Sequence, residues 1–136
     1  MPDEIDQKIV EILRRDARMP YLEMAKLLRM SEGAIRRRVR KLVESGIIRR
    51  FTVEVVQEGS AAVMLVSVNP SMPTSQVSRA MLKIDGVNKV YEVTGEFDIV
   101  ALLLAKDTQA LNACIEKTRM LEGTSRTNTM MVLRSW

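Results

Sequence analysis

A repeat in residues 61–136 restricts the fold more than any other feature of the chain. "AAVMLVSV" (61–68) reads as a buried strand. "TSQVSRAMLKIDG" (74–86) reads as a helix with Val77, Met81 and Ile84 on one face, and "VNKVYEVTG" (87–95) as a strand. The same order then recurs. "FDIVALLLAK" (97–106) reads as a strand, "DTQALNACIEKTRMLEG" (107–123) as a helix with Leu111, Cys114 and Ile115 inward, and "TSRTNTMMVL" (124–133) as a strand. Both helices close alike, in Ile84-Asp85-Gly86 and Leu121-Glu122-Gly123, with glycine as the stop. Two β-α-β units in tandem give a βαββαβ, ferredoxin-like arrangement of the α+β class: four antiparallel strands with both helices on one face.

That arrangement leaves the other sheet face bare. Lined by Met64, Val66, Val93 and Leu102, it would be a larger apolar patch than monomers usually carry. The expectation is a dimer, sheet against sheet.

Residues 1–50 follow a helical period. Asp3 suits an N-cap, with Ile5, Ile9, Ile12 and Leu13 on one face of a first helix. Pro20 suits the first turn of a second helix, whose apolar face is Leu22, Ala25 and Leu28, widened by Met24 and Leu27. Arg29-Met30 is a very short connection. Ser31 then caps a third helix that stops near Ser45-Gly46. Three helices, the last two joined tightly, outline a helix-turn-helix. After Gly46, "IIRRFTVEVV" is rich in β-branched residues and predicts a strand or wing. "QEGS" (57–60) marks the joint, so the expected division is 1–50, a 51–60 strand or linker, and 61–136.

Charge separates the two parts. Residues 1–50 hold 13 Lys/Arg against 8 Asp/Glu, and residues 51–136 hold 8 against 9. The excess is concentrated in residues 31–50, which points to an anionic partner for the N-terminal part. On a helical wheel, Ile35, Val39, Leu42 and Val43 share one sector. Arg36, Arg37, Arg40 and Lys41 occupy much of the opposite side, with Arg38 at the border. A solvated face would usually mix signs; here the acids are only Glu32 at the start and Glu44 at the end. The outward residues of the first turn, Gly33 and Ala34, are small enough to let backbone approach base edges. As the second helix of a tight pair, this is the element that enters a major groove. Ser31, Gly33, Ala34 and Arg37 are the candidates for base contact. Arg36, Arg40, Lys41, Arg49 and Arg50 are candidates for phosphate contact, and Tyr21 either donates to a phosphate or packs against Pro20.

Other functions fit less well. The chain has no histidine, the commonest general base and metal ligand. Cys114 falls on an inward helical face, and no phosphate-cradling glycine loop or spaced metal-ligand set appears. No catalytic or metal residue and no cofactor is expected. An RNA-binding sheet would present stacking aromatics, but residues 51–136 hold only Phe51, Tyr91, Phe97 and Trp136. The ten methionines read as core and interface filler. No stretch reaches the roughly 18–20 apolar residues of a membrane span. The N-terminal MPDEIDQK lacks the basic-then-apolar order of a signal peptide. A single cysteine allows no internal disulfide, and the expected location is the cytoplasm.

The hairpin "VTGEFD" (93–98) has the groups a free amino acid needs, backbone N–H donors for its carboxylate and a carboxylate for its ammonium. Gly95 lets the backbone turn, Asp98 is placed to hold the ammonium, and Thr94 adds a hydroxyl. Glu96, a second acid, suits a cationic side chain such as lysine or arginine. The plain alternative is a hairpin in which Asp98 hydrogen-bonds its own turn.

"DEIDQKIVEILRRDARMPYLEMAKLLRMSEGAIRRRVRKLVESGIIRRF" resembles the DNA-binding domain of the Lrp/AsnC, or feast/famine, transcription regulators. "VYEVTGEFDIVALL", with Thr-Gly-x-x-Asp at 94–98, resembles their ligand-domain motif. The short joint and the "IIRRFTVE" and "LRSW" endings resemble an archaeal subgroup linked to lysine biosynthesis. The resemblance implies a helix-turn-helix followed by a ferredoxin-like domain that dimerises through its sheet. It further implies tetramers or octamers on promoter DNA, and amino acids bound between dimers. It places the second wall of the ligand site on a neighbouring subunit, at Ser125, Thr127 and Asn128. Arg29 departs from the glycine the family often has in the turn, and the segment before Ala61 is shorter than usual. A nucleoid-type architectural DNA-binding protein without an effector is the alternative reading.

Overall fold

A computed structural model describes residues 1–56 and 58–136. They form two compact units, Met1–Val55 and Val56–Trp136. Gln57, in the expected joint 57–60, lies outside the described residues.

The first unit contains α1 (Glu4–Arg15), α2 (Tyr21–Leu28) and α3 (Glu32–Glu44). Local chemistry sets the ends. Asp3 accepts from the Asp6 N–H at 2.8 Å, and Asp6 accepts from the Asp3 N–H at 3.1 Å, a reciprocal cap that satisfies two otherwise orphaned donors. Pro20 stands just before α2 rather than within it. The core is Ile9 and Leu13 of α1, Met24 and Ala25 of α2, and Ile35, Val39 and Leu42 of α3. Burying each of these side chains apart from Ala25 is worth roughly 1.5–3 kcal/mol. The expected apolar faces were too wide: Leu22, Leu27 and Val43 are exposed. In α2 the stripe turned inward is Tyr21, Met24, Ala25 and Leu28, the i, i+3, i+4, i+7 set, and Leu22 and Leu27 flank it.

Arg38 ties α3 to the start of α1. Its Nη1 donates to Asp3 Oδ2 at 2.7 Å and to Asp6 Oδ1 at 2.8 Å. The Asp6 backbone N–H first, and Arg38 second, lower the Asp3 carboxyl below its ordinary value. The same contacts raise the Arg38 guanidinium, Asp6 contributing most.

No strand or wing forms over 49–56. Val53, Val55 and Val56 are exposed. β-branched side chains favour a pleated surface only where a neighbouring strand supplies it, and among the described residues none pairs here.

The second unit is β1 (Ser60–Val68), α4 (Thr74–Met81), β2 (Val87–Glu92), β3 (Ile99–Ala105), α5 (Thr108–Arg119) and β4 (Thr124–Met131). The sheet order β2-β3-β1-β4 is antiparallel throughout, the ferredoxin-like topology. Ala62, Met64, Val66 and Val68 of β1, with Ile99, Ala101 and Leu103 of β3, pack with Val77 and Met81 of α4 and Leu111 and Cys114 of α5. Met64 and Val66, expected on the bare face, are therefore on the helix-covered one, fully buried. Side chains alternate along a strand, so the open face carries Val63, Leu65 and Ser67 of β1 and Val100, Leu102 and Leu104 of β3. Lys89 and Tyr91 of β2 and Arg126, Asn128 and Met130 of β4 continue it, by register. Leu102 stands as expected. Val93 lies beyond the end of β2, and Trp136 is fully exposed beyond the end of β4.

The two repeats lock together through their terminal glycines. Gly86 has φ +95°, and a Cβ there would stand 3.0 Å from the Cβ and Sγ of Cys114 in α5. Gly123 has φ +90°, and its Cβ would stand 2.8 Å from Val77 Cγ2 in α4. Each unit's closing glycine thus lets the chain approach the other unit's helix. α4 accordingly stops at Met81, and turns carry the chain to Gly86.

Arg38→Met should lower the melting temperature of the full chain by a few degrees at neutral pH. The folded-state carboxyl of Asp3 lies below its value of 3.8 in the unfolded chain. The part of that lowering due to Arg38, second to the Asp6 backbone N–H, contributes stability above that pH that is lost as pH falls through the lower, folded value. Thermal melts from pH 7 down to pH 2 should show wild type and Arg38→Met converging; a constant difference would contradict the assignment.

Candidate functional site

The burial of Ile35, Val39 and Leu42 leaves Arg36, Arg37, Arg40 and Lys41 exposed along the rest of α3. Ser31 caps the helix, accepting from the Ala34 N–H at 3.2 Å. Gly33 is exposed, and a Cβ added to it would meet nothing within 4 Å. Ala34 is half-buried. It lines a groove of about 600 Å³ beside α3 together with Arg37 and Lys41, opposite Asp3 and Asp6. Those two acids are already paired with Arg38, so Arg37 and Lys41 are the cations of that groove without an ion pair among the described residues.

The basic side chains thus differ in how they are held. Arg36 donates to Glu32 at 2.6 Å and lies over the Tyr21 ring, 5.2 Å from its centroid. Tyr21 is half-buried and packs against the helical core. Arg49 and Arg50 are exposed in the segment after α3. Arg38, placed at the border by the wheel, is turned from the outer face by Asp3 and Asp6. Those partners lie more than thirty residues away in sequence, and no local pattern announces them.

In the second unit, Val93 N–H donates to the Asp98 carbonyl at 2.9 Å, closing the loop that holds Thr94, Gly95 and Glu96. Gly95 has φ +118°. Asp98 does not bond its own turn through its side chain. Its Oδ2 accepts from the Val68 N–H of β1 at 2.7 Å, while its own N–H donates to Val66 O at 2.9 Å. The carboxylate thereby extends the β1–β3 ladder just ahead of the first residue of β3. A hydrogen bond to a charged acceptor is worth about 1.5–3 kcal/mol. Beside it is a shallow hollow of about 270 Å³ lined by Thr74, Glu92, Val93, Thr94 and Asp98. Glu92 was not picked out in the sequence, because it reads there as an ordinary strand residue.

Glu96 does not stand beside Asp98 as an unpaired acid. Its Oε1 accepts from Arg126 Nη2 at 2.8 Å, and the Arg126 guanidinium lies over the Phe97 ring at 4.7 Å. Both partners are largely exposed, so the pair is weak and readily exchanged. Ser125 donates to Ser67 O at 3.0 Å. Thr127 is half-buried opposite Val66, on the helix-covered face, and Asn128 is exposed opposite Leu65, on the open face. Within one chain these three do not converge on one point. Among the described residues no group of His, Cys, Asp and Glu could hold a metal ion, and no helix is long and apolar enough to cross a membrane.

Two family models match the chain. Residues 3–43 match the AsnC-type helix-turn-helix domain, and residues 61–136 match the Lrp/AsnC ligand binding domain. The chain belongs to the Lrp/AsnC family. This Lrp/AsnC protein is 43% identical over 135 residues to the HTH-type transcriptional regulator LysM of Sulfurisphaera tokodaii, covering 98% of this chain and 96% of that protein. It is 42% identical to LysM of Saccharolobus solfataricus, covering 98% and 95%. Both relatives support an archaeal Lrp/AsnC subgroup. Among solved structures, it is similar to the feast or famine regulatory protein from M. tuberculosis complexed with L-methionine. That match has a TM-score of 0.86 and 25% identity, over 100% of this chain and 95% of that one. The Lrp/AsnC chain is therefore a DNA-binding transcriptional regulator with a ligand-binding domain, and its family is not enzymatic.

Gly33 is a position where folding and DNA binding can be tested apart, because a side chain there has open space. Gly33→Ala should stabilise α3 by up to about 1 kcal/mol, since alanine is the better helix former and its Cβ has open space. Gly33→Leu should also fold, yet weaken binding to operator DNA several-fold by holding the backbone off the bases. Thermal melts and gel-shift titrations on the same two variants would check this; undiminished binding by Gly33→Leu would remove Gly33 from the contact surface.

Proposed function

We propose that this Lrp/AsnC regulator recognises specific sequences in double-stranded promoter DNA, and that a small amino acid, lysine or arginine favoured, alters its DNA binding or its assembly. In this reading residues 1–50 read DNA, 51–60 join, and 61–136 bind ligand and oligomerise. The observation that carries the DNA half is the outer face of α3, with Arg37, Arg40 and Lys41 flanking the open Gly33. Ser31, Gly33, Ala34 and Arg37 meet base edges. Arg36, Arg40, Lys41, Arg49 and Arg50 meet phosphates. Tyr21 supports Arg36 from below.

The ligand half rests on the hollow beside the Thr94–Asp98 loop. Two of its five lining residues, Glu92 and Asp98, are acids, and none is basic, which suits a ligand with a cationic side chain. Asp98 has one carboxylate oxygen engaged by Val68 and one left for an ammonium. Glu96 reaches the ligand by exchanging its exposed contact with Arg126. Ser125, Thr127 and Asn128 of a neighbouring subunit complete the wall. The regulator works in the cytoplasm, as a dimer through the open sheet face and as tetramers or octamers of such dimers. The apolar stripe Val63, Leu65, Val100, Leu102 and Leu104 is the surface a second copy would cover.

Gel-shift titration on the promoter of the protein's own gene, without ligand and with each amino acid at millimolar concentration, tests this reading. A shift changed by lysine or arginine is the expected outcome. A shift untouched by every amino acid would favour an architectural DNA-binding protein, and no shift at low salt would refute the DNA half. Leu102→Asp should yield a folded, smaller species by sedimentation, because the open face loses its partner. Leu103→Asp, one residue along and fully buried, should unfold the domain.

A further inference from the structure

Arg29 is the one non-glycine residue with positive φ among the described residues, at φ 53° and ψ 49°. A residue with a Cβ is disfavoured in this left-handed region, because the Cβ crowds the following carbonyl. The turn imposes the conformation. The Arg29 N–H donates to Lys26 O at 3.3 Å, and the Met30 N–H to Ala25 O at 2.9 Å, closing α2. Met30 packs against the helical core, and Ser31 is already committed to capping α3. Glycine would occupy the position without that penalty.

Nothing nearby repays the arginine for its place. Its side chain is exposed and makes no ion pair or side-chain hydrogen bond to the described residues. The two acids closest in sequence are engaged elsewhere, Glu23 with Lys26 at 2.9 Å and Glu32 with Arg36 at 2.6 Å. Yet Arg29 lies two residues before the cap of α3, within about 7 Å of the Ser31 Cα. The N-terminal end of a recognition helix is the end that approaches the bases, between two phosphate-lined walls. An always-charged, planar guanidinium set at that end is matched to a phosphate.

We propose that Arg29 is a phosphate-binding residue, held by the strained turn against the wall of the groove that α3 enters. The turn is less stable than it would be with glycine, and the protein binds DNA more tightly for it. The inference rests on the DNA-binding reading of α3 and extends it to the turn.

The test uses the full chain as wild type, Arg29→Gly and Arg29→Lys, with thermal melts and salt-dependent titrations on the promoter fragment and on unrelated duplex DNA. Arg29→Gly should melt a few degrees higher than wild type. It should bind both DNAs several-fold more weakly, and the slope of log K against log salt should flatten by about one per bound subunit. Arg29→Lys should keep the wild-type slope. Arg29→Gly binding with the wild-type affinity and slope would overturn the proposal, and so would a lower melting temperature, which would remove the strain argument. A wild type that binds neither DNA would instead refute the reading of α3 on which the proposal rests.

Discussion

Strand β1 is hydrogen-bonded along both edges, to β3 on one side and β4 on the other. Its side chains therefore have two directions only, and placing one residue places all the others. With Met64 turned to the helices, Ala62, Val66 and Val68 follow it, and Val63, Leu65 and Ser67 face away. The same alternation passes to β3 through the pairs Met64↔Ala101 and Leu65↔Val100. A slip of one residue would exchange a fitted core for the open face, so register here is also a statement about assembly. It reaches the ligand loop too: β3 begins at Ile99 opposite Val66, and Asp98 continues the ladder with its side chain. The Asp98 carboxylate, proposed to hold a ligand's ammonium, is thus first a cap on the β1–β3 ladder, and its orientation is inherited from the sheet.

The first unit obeys a different period with a similar consequence. Three inward residues of α3 decide which arginines face out. The one cation near the boundary, Arg38, is drawn to the α1 terminus by Asp3 and Asp6. Those acids would otherwise oppose the positive field beside Arg37 and Lys41. By consuming them, Arg38 holds two helices together and leaves the adjoining groove with a net basic wall.

The elements were legible where their signal is local. Asp3 and Ser31 cap the backbone within three residues of themselves, and the paired Gly86 and Gly123 mark both helix stops. Face assignment in β1 was not legible, because "AAVMLVSV" is apolar on both faces and carries no alternation to read. Only the packed helices break that tie. Residues 49–56 have the composition of a strand, but pairing is a property of two segments, and composition describes one. In the ligand region, Glu96–Arg126 and Asp98–Val68 each join positions thirty apart. A sequence displays the acids there without showing that one already has a cation and the other a backbone donor. The family resemblance supplied the domain order and the loop, but not these pairings.

The cations of the DNA-reading unit fall into two physical classes, and the distinction bears on how such a surface can be both tight and selective. Arg37, Arg40 and Lys41 have no ion pair among the described residues. They contribute a field that acts before contact, and in the proposed reading each loses side-chain freedom when a base edge, for Arg37, or a phosphate, for Arg40 and Lys41, fixes it. Arg36 is engaged already, by an exposed ion pair with Glu32, as exchangeable as that of Glu96 with Arg126, and by the Tyr21 ring under its plane. In the proposed reading a phosphate that takes the donor now given to Glu32 displaces that carboxylate, while the ring contact can stay. In that reading the affinity from Arg40 and Lys41 falls with salt on any duplex. The held arginine offers a defined direction, and direction is what distinguishes one groove geometry from another. In the proposed reading α3 thus combines a general attraction, from its own spacing of charged residues, with one contact that Tyr21 of α2 helps to orient.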